Sequence, residues 1–364
     1  MFFHMEDVVY IYIGVCSCML LFNILLIFIR KSEDRVSNIH IRYFTKMIEE
    51  NEKNPEKILY RRLRRVGQFR AFHAAITALM EKDRKKVEKF LQNCKPVFIR
   101  LSQVYSLKDD MYKAYFAYVM SLYKICGEAD NNAVIEMMRK LIHSKSAYCR
   151  ENALKALYSF GNEKNVYYAL KEMNDNDIFH HSKLITDGMI TFCGDHQLLA
   201  SMLWDNLSEF GVEYQTSFIQ YIRVVSGSYR TKFYQLLLKP GTDKEVKIVL
   251  VRYFAKYHYR PVKELLFQYL KAATNFDWEL AAVSATVLRD YNGQDVIEVL
   301  MEALSHANWY IRYNAAESLQ YKNVSFQELS SIYNGNNRYA REMLEFQRQK
   351  NKIKQQITTE KVAI

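Results

Sequence analysis

Four side chains in one short stretch, His180, His181, Asp187 and His196, are of the types that general acid–base catalysis or a metal site requires. Their spacing matches no ligand pattern, and the chain contains no His-Glu-x-x-His. It also lacks Gly-x-x-x-x-Gly-Lys-Ser/Thr, Gly-x-Gly-x-x-Gly and Gly-x-Ser-x-Gly, the loops that cradle a phosphate or present a nucleophile. Cys94, Cys126, Cys149 and Cys193 stand singly at helical positions, while Cys16 and Cys18 sit in an apolar run, so all six read as small buried hydrophobes in a reducing compartment. An enzyme reading therefore depends on the His180, His181, Asp187 and His196 cluster alone. No cofactor, metal or small-molecule substrate is expected.

The elements that carry these residues repeat. Asn308 can cap a helix in which Ile311, Ala315, Ala316 and Leu319 share one apolar face. Stepping back from Arg312 gives Ala281, Lys247, Gln215, Lys183 and Arg150, at intervals of roughly 31 to 34 residues, the period of stacked two-helix repeats. The same four-position apolar set recurs as Cys149, Ala153, Leu154 and Leu157; as Tyr214, Phe218, Ile219 and Ile222; as Val246, Leu250, Val251 and Phe254; and as Leu280, Ser284, Ala285 and Leu288. Four prolines and eleven glycines in 364 residues are too few for a loop-rich β fold. The spacing predicts an all-α chain, an α-solenoid over 111–347, with tyrosine and phenylalanine filling the seams between helices.

At Lys183 the pattern breaks, because the core set would be Ser182, Thr186, Asp187 and Ile190. A buried aspartate must be paired or must leave the core. The simpler expectation is a slipped helix that buries Leu184 and Met189 and turns Asp187 outward. A helix from Met111 closed by Gly127 and a polar tail over 348–364, frayed at its end, complete the expected outline.

The N-terminal part has a different character. Val8 to Ile29 carries no charge, and at ~1.5 Å per residue its roughly 22 residues are long enough to cross a bilayer core. Arg30, Lys31, Arg35, Arg42 and Lys46 follow the run and no Lys or Arg precedes it, so the positive-inside rule puts residues 1–7 outside and the rest in the cytoplasm. The expectation is one transmembrane helix over 8–29 in the cell membrane, followed by a basic region over 30–110. Most of the net charge of +11 lies there, with a short amphipathic helix, a turn at Asn51-Glu-Lys-Asn-Pro55, and a buried stripe of Leu63, Val66, Phe69, Phe72 and Ile76. Arg61, Arg62, Arg64, Arg65, Arg70, Lys82, Arg84, Lys85 and Lys86 are left outward, as a solvated face, as contacts to an anionic lipid surface, or as contacts to an acidic partner.

Tyr148-Cys-Arg150-Glu-Asn-Ala-Leu-Lys-Ala-Leu157 with Gly161-Asn162, and Trp309-Tyr-Ile-Arg312-Tyr-Asn-Ala-Ala-Glu-Ser-Leu319, resemble short bacterial HEAT repeats of the phycocyanobilin-lyase-like kind. In that family a hydrophobe and a basic residue precede spaced alanines and a leucine, often ending in Gly-Asp. Gly194-Asp195 keeps the ending, and Glu279-Leu280-Ala281 lacks the basic residue. The di-iron hydroxylases of the wider family use His-Glu dipeptides, and none of the nine histidines here precedes Glu. Bilin lyases act on soluble phycobiliproteins, and DNA glycosylases of this shape need a basic groove, whereas here the charge excess lies ahead of the repeats. The resemblance implies a bacterial, membrane-anchored, non-catalytic scaffold that docks a membrane-associated protein, such as an exopolysaccharide glycosyltransferase or other cell-envelope machinery, and does not bind nucleic acid. Glu151, Lys155, Gln220, Arg223, Arg252, Arg289, Tyr313 and Glu317 are the expected partner contacts on the concave face.

Overall fold

The computed structural model describes residues 5–50, 55–125, 133–272 and 277–362, and among them every regular element is helical. The expected turn at 51–54, the Gly127 stop and Cys126 lie outside the described residues. Two compact units divide the chain, one from Met1 to Ala169 with Phe192–Gly194, the other comprising Leu170–Thr191 and Asp195–Ile364.

The first unit contains α1 (Met5–Glu49), α2 (Glu56–Leu63), α3 (Val66–Met80), α4 (Arg84–Asn93), α5 (Lys95–Tyr105), α6 (Asp110–Tyr123), α7 (Ala133–Ile142) and α8 (Ala147–Phe160). Its core is aromatic. Phe44 meets Phe72 edge-on with centroids 5.3 Å apart, and Tyr105 stacks on Phe116 at 4.8 Å, joining α1 to α3 and α5 to α6. The buried Tyr105 hydroxyl donates to the Leu63 carbonyl at 2.9 Å, so the large ring fills the seam without stranding its polar tip. Of the expected stripe, Leu63, Phe69, Phe72 and Ile76 are buried and Val66 is half-buried. α6 stops before Gly127, because Lys124 turns left-handed at φ 46°.

Among the described residues no helix is long and apolar enough to cross a membrane, which overturns the expected single-pass placement in the cell membrane. The α1 backbone is helical throughout, but the apolar side chains described in it run only from Tyr12 to Ile27. The side chains of residues 8–11 and 28–30, and residues 1–4 as a whole, lie outside those described. The amphipathic segment expected after the run is the end of the same helix, where Phe44, Met47 and Ile48 are buried.

α9 (Glu163–Asp175) crosses the division between the units. The second unit continues with α10 (Ser182–Ile190), α11 (His196–Asp205), α12 (Val212–Val225), α13 (Arg230–Leu238), α14 (Lys244–Lys256), α15 (Val262–Lys271), α16 (Trp278–Leu288), α17 (Gln294–Ala303), α18 (Trp309–Tyr321), α19 (Ser330–Tyr333) and α20 (Arg338–Val362). α10, α12, α14, α16, α18 and α20 pack in succession, each on the next. α11, α13, α15 and α17 back onto α12, α14, α16 and α18, so each hairpin adds one inner and one outer helix.

All five four-position sets are buried as expected, from Cys149 in α8 to Leu319 in α18. In α10 the register slips back by one residue, burying Ile185, Thr186 and Met189. Asp187 is thereby turned to solvent, but Leu184 is exposed too, contrary to expectation. The expected polar tail is helical through Val362 as part of α20.

The basic residue of the repeat has a structural role. Arg312 reaches back from α18 and donates to the His306 and Ala307 carbonyls, both at 2.7 Å. Arg150 does the same from α8, to Ser144 at 2.8 Å and Lys145 at 3.1 Å, and Gln215 reaches Phe210 at 2.7 Å. Each ties an inner helix to the turn in front of it, satisfying carbonyls that the preceding segment leaves over. Arg312→Met is expected to cost about 2–3 kcal/mol, because charge-assisted bonds to half-buried carbonyls are lost. Lys155→Met removes only an exposed helical pair and is expected to cost less than about 0.5 kcal/mol. Urea denaturation compares the two, and equal midpoints would reject the clamp.

Candidate functional site

The four residues of the enzyme reading have different settings. His181 lies at the start of α10, where its Nδ1 accepts the Lys183 N–H at 3.2 Å as a helix cap. His196 Nδ1 is hydrogen-bonded to the Tyr221 hydroxyl at 2.8 Å, at the seam of α11 and α12. His180 is buried and Asp187 is exposed. Among the described residues no group of three His, Cys, Asp or Glu side chains is placed to hold a metal ion.

The basic candidates of the first unit are exposed, apart from Arg62, which lies half-buried with its guanidinium 4.2 Å from the Tyr43 ring centroid. Arg64 lies over Tyr60, Arg70 lies over Tyr115, and Arg84 pairs with Glu88 at 2.7 Å. Lys82, Lys85, Lys86, Arg61 and Arg65 project into solvent.

Of the expected concave-face contacts, several are already engaged. In the first unit Glu151 and Lys155 pair with each other at 3.1 Å. In the second, Lys350 of α20 donates to the Tyr313 hydroxyl and to Glu317 at 3.1 Å, so α20 covers that part of α18. Arg289 leans on the Tyr321 ring at 5.0 Å and faces Asp290 at 3.5 Å. Gln220, Arg223 and Arg252 remain.

Gln220 and Arg252 line a groove of about 440 Å³ that crosses the inner helices α10, α12, α14 and α16, with His181 and Ser182 at its α10 end. One bank is acidic: Glu213, Glu245 and Glu279 take the same place in the first turns of α12, α14 and α16. This position also lets each carboxylate face the positive end of its helix. Ile248, Val249 and Val283 form the floor. Glu279 pairs with Lys244 at 3.2 Å, whereas Glu213 and Glu245 have no ion pair among the described residues.

Opposite the glutamates the described lining holds Gln220 and Arg252. Gln220 and Arg252 hold matching positions on α12 and α14, and Arg223 lies one turn beyond Gln220. Lys256 joins them, its Nζ donating to the carbonyls of Arg223 at 3.4 Å and Val224 at 3.2 Å. Among the described residues neither Arg223 nor Arg252 has a carboxylate within 4.0 Å. Burial, and then the charge of Arg252, hold the Arg223 guanidinium below its ordinary pKa.

Comparison with protein families finds no matching family model, and comparison with curated proteins finds no match. The groove's acidic bank was missed in the sequence, although its signal was there: each glutamate stands two residues before the repeat's reference position at Gln215, Lys247 and Ala281.

The strongest shifts among the described groups belong to the seams. Burial pushes the Cys94 thiol and the phenols of Tyr115, Tyr253 and Tyr291 up to about 12. Tyr253 accepts the Tyr229 N–H at 3.1 Å, and Tyr291 donates to the Phe254 carbonyl at 3.2 Å, so both hydroxyls bond the backbone. A phenol pKa raised on folding contributes stability that is fully present below the unfolded value of 10.0 and is lost as pH rises through about 12. Circular dichroism with tyrosine absorbance is expected to show the fold intact up to about pH 10, then phenol ionisation and unfolding together. Ionisation of the full tyrosine complement near pH 10 with the fold intact would contradict the buried seams.

Proposed function

We propose that this chain is a non-catalytic docking protein, a scaffold of HEAT-like hairpins of the α-solenoid type, whose inner-helix groove holds a segment of a protein partner. The observation that carries the reading is the groove across α10 to α16, whose lining sets Ile248, Val249 and Val283 beside three glutamates and Arg252. Short apolar floors exclude water while charged rims set orientation and register, the division of labour found in protein interfaces. The repeated core register and the succession of inner helices support the solenoid assignment. The acidic bank disfavours nucleic acid, since a polyanion crossing the groove would pass Glu213, Glu245 and Glu279. The use of His181 as a helix cap and of His196 as a partner of Tyr221 supports the non-catalytic reading.

A photo-crosslinking residue placed at Gln220 in the full chain is expected to capture a discrete partner protein in cells. The same residue at the exposed Glu298, on outer helix α17, is the control. Val283→Trp, which fills the groove floor, is expected to reduce capture from Gln220 at least fivefold. Identical products from both sites, or capture indifferent to the tryptophan, would rule out the groove as the docking surface.

A further inference from the structure

The first unit holds an open cleft of about 880 Å³ between α3, α4 and α6, inside the range of about 300–1,000 Å³ typical of small-ligand pockets. Met80, Tyr118, Leu122 and Tyr123 give it apolar and aromatic walls, and His73 and Thr77 belong to its lining. Tyr118 and Leu122, one turn apart on α6, are both exposed. The hydrogen bonds behind this wall fix the direction of each proton. Thr77 Oγ1 donates to the His73 carbonyl at 3.0 Å, so the Tyr123 hydroxyl, 2.9 Å away, donates to Thr77 Oγ1. The Tyr115 hydroxyl meets His73 Nδ1 at 2.8 Å and no other acceptor among the described residues, and burial, which pushes its phenol up to about 12, keeps its proton in place. Tyr115 therefore donates, which puts the imidazole proton on Nε2. Three tyrosine rings surround the imidazole with centroids 5.6 to 6.0 Å away, and burial holds it below its ordinary pKa. His73 thus brings to the cleft an uncharged N–H donor that has no partner among the described residues.

The charges of the lining decide the sign of the ligand. Arg84 and Glu88 cancel in a 2.7 Å pair, which leaves Lys89 and Lys124 against Glu81. Neither lysine has an ion pair among the described residues, and Lys82, Lys85 and Lys86 stand exposed where α4 begins. The surplus is positive. We infer that this cleft binds a small aromatic carboxylate, its ring against Met80, Tyr118 and Leu122 and its carboxylate received by His73 Nε2–H and by Lys89 or Lys124. A ring suits these walls better than an alkyl chain, because the Tyr118 ring offers an offset stack and the Met80 thioether a sulfur–aromatic contact. A cationic ligand would meet the surplus lysines. A phosphate ester would want a planar fork of donors, and Arg84, the guanidinium of the lining, is committed to Glu88. The site is separate from the docking groove, since every residue in it belongs to the first unit.

Isothermal titration calorimetry of the full chain tests this with three probes: 2-naphthoate, the neutral 2-naphthol, and decanoate as an aliphatic acid. 2-Naphthoate is expected to bind at one site per chain and about tenfold more tightly than 2-naphthol, the size of one charge-assisted hydrogen bond. It is also expected to bind more tightly than decanoate. K89Q/K124Q changes two exposed side chains and leaves the packing alone, so it is expected to remove most of the advantage of 2-naphthoate while 2-naphthol binds as before. H73F keeps an aromatic ring and deletes the Nε2 donor, and is expected to weaken 2-naphthoate about tenfold with little effect on 2-naphthol. Leu122→Trp, which fills the cleft, is expected to abolish binding of both naphthyl probes. The absence of saturable 2-naphthoate binding, equal affinities for 2-naphthoate and 2-naphthol in the parent, a preference for decanoate, or binding that survives Leu122→Trp would overturn the assignment.

Discussion

The second unit depends on how closely its inner helices approach one another. Ala281 and Ala285 of α16 and Ala315 and Ala316 of α18 are fully buried between neighbouring helices. The Ser318 hydroxyl donates from α18 to the Ala285 carbonyl of α16 at 2.9 Å, and the Ser217 hydroxyl from α12 to the Ser182 carbonyl of α10 at 3.2 Å. Such contacts need backbones close enough for a two-atom side chain to bridge them, so larger residues at these positions would push the helices apart. The groove crosses these helices, so its length follows from their spacing, while Glu213 and Gln220 on α12, and Glu245 and Arg252 on α14, face each other across it along the helix.

The buried register was legible because a helical period and a repeat period coincide. Ile311, Ala315, Ala316 and Leu319 fix one helix face, and each further copy of the set supplies an independent check. Where a position conflicted, as at Asp187, the cost of burying a charge pointed to a slip, and Met189 took the core place. Leu184 was misjudged because the direction of the slip depends on neighbouring helices, which a pattern along one helix does not contain. The apolar run from Val8 was read by length and composition. In the structure that run is part of one long helix that continues into the buried Phe44, Met47 and Ile48.

The candidate site was partly legible. Gln220, Arg223 and Arg252 were found because they lie off the core face of repeats already aligned. Tyr313 and Glu317 satisfy the same criterion, yet they are covered, because Lys350 sits in a segment whose polar composition read as a frayed tail. Repeat offsets show which side of a helix a residue occupies. They do not show whether a helix from elsewhere in the sequence lies on it. The family pattern marked a basic position without saying what it does, and the structure shows the guanidiniums of Arg150 and Arg312 spent on backbone carbonyls.

The hold of Lys350 on Tyr313 and Glu317 bears on self-association. A stack of hairpins presents at its last inner helix a face much like the one every earlier helix offered to its successor, and another molecule's first hairpin could be accepted there as readily as its own next one. Such head-to-tail addition does not close and grows into fibres. With α20 laid over α18 that face is occupied from within the same polypeptide, and the ammonium tie must be broken before a foreign hairpin can take the place.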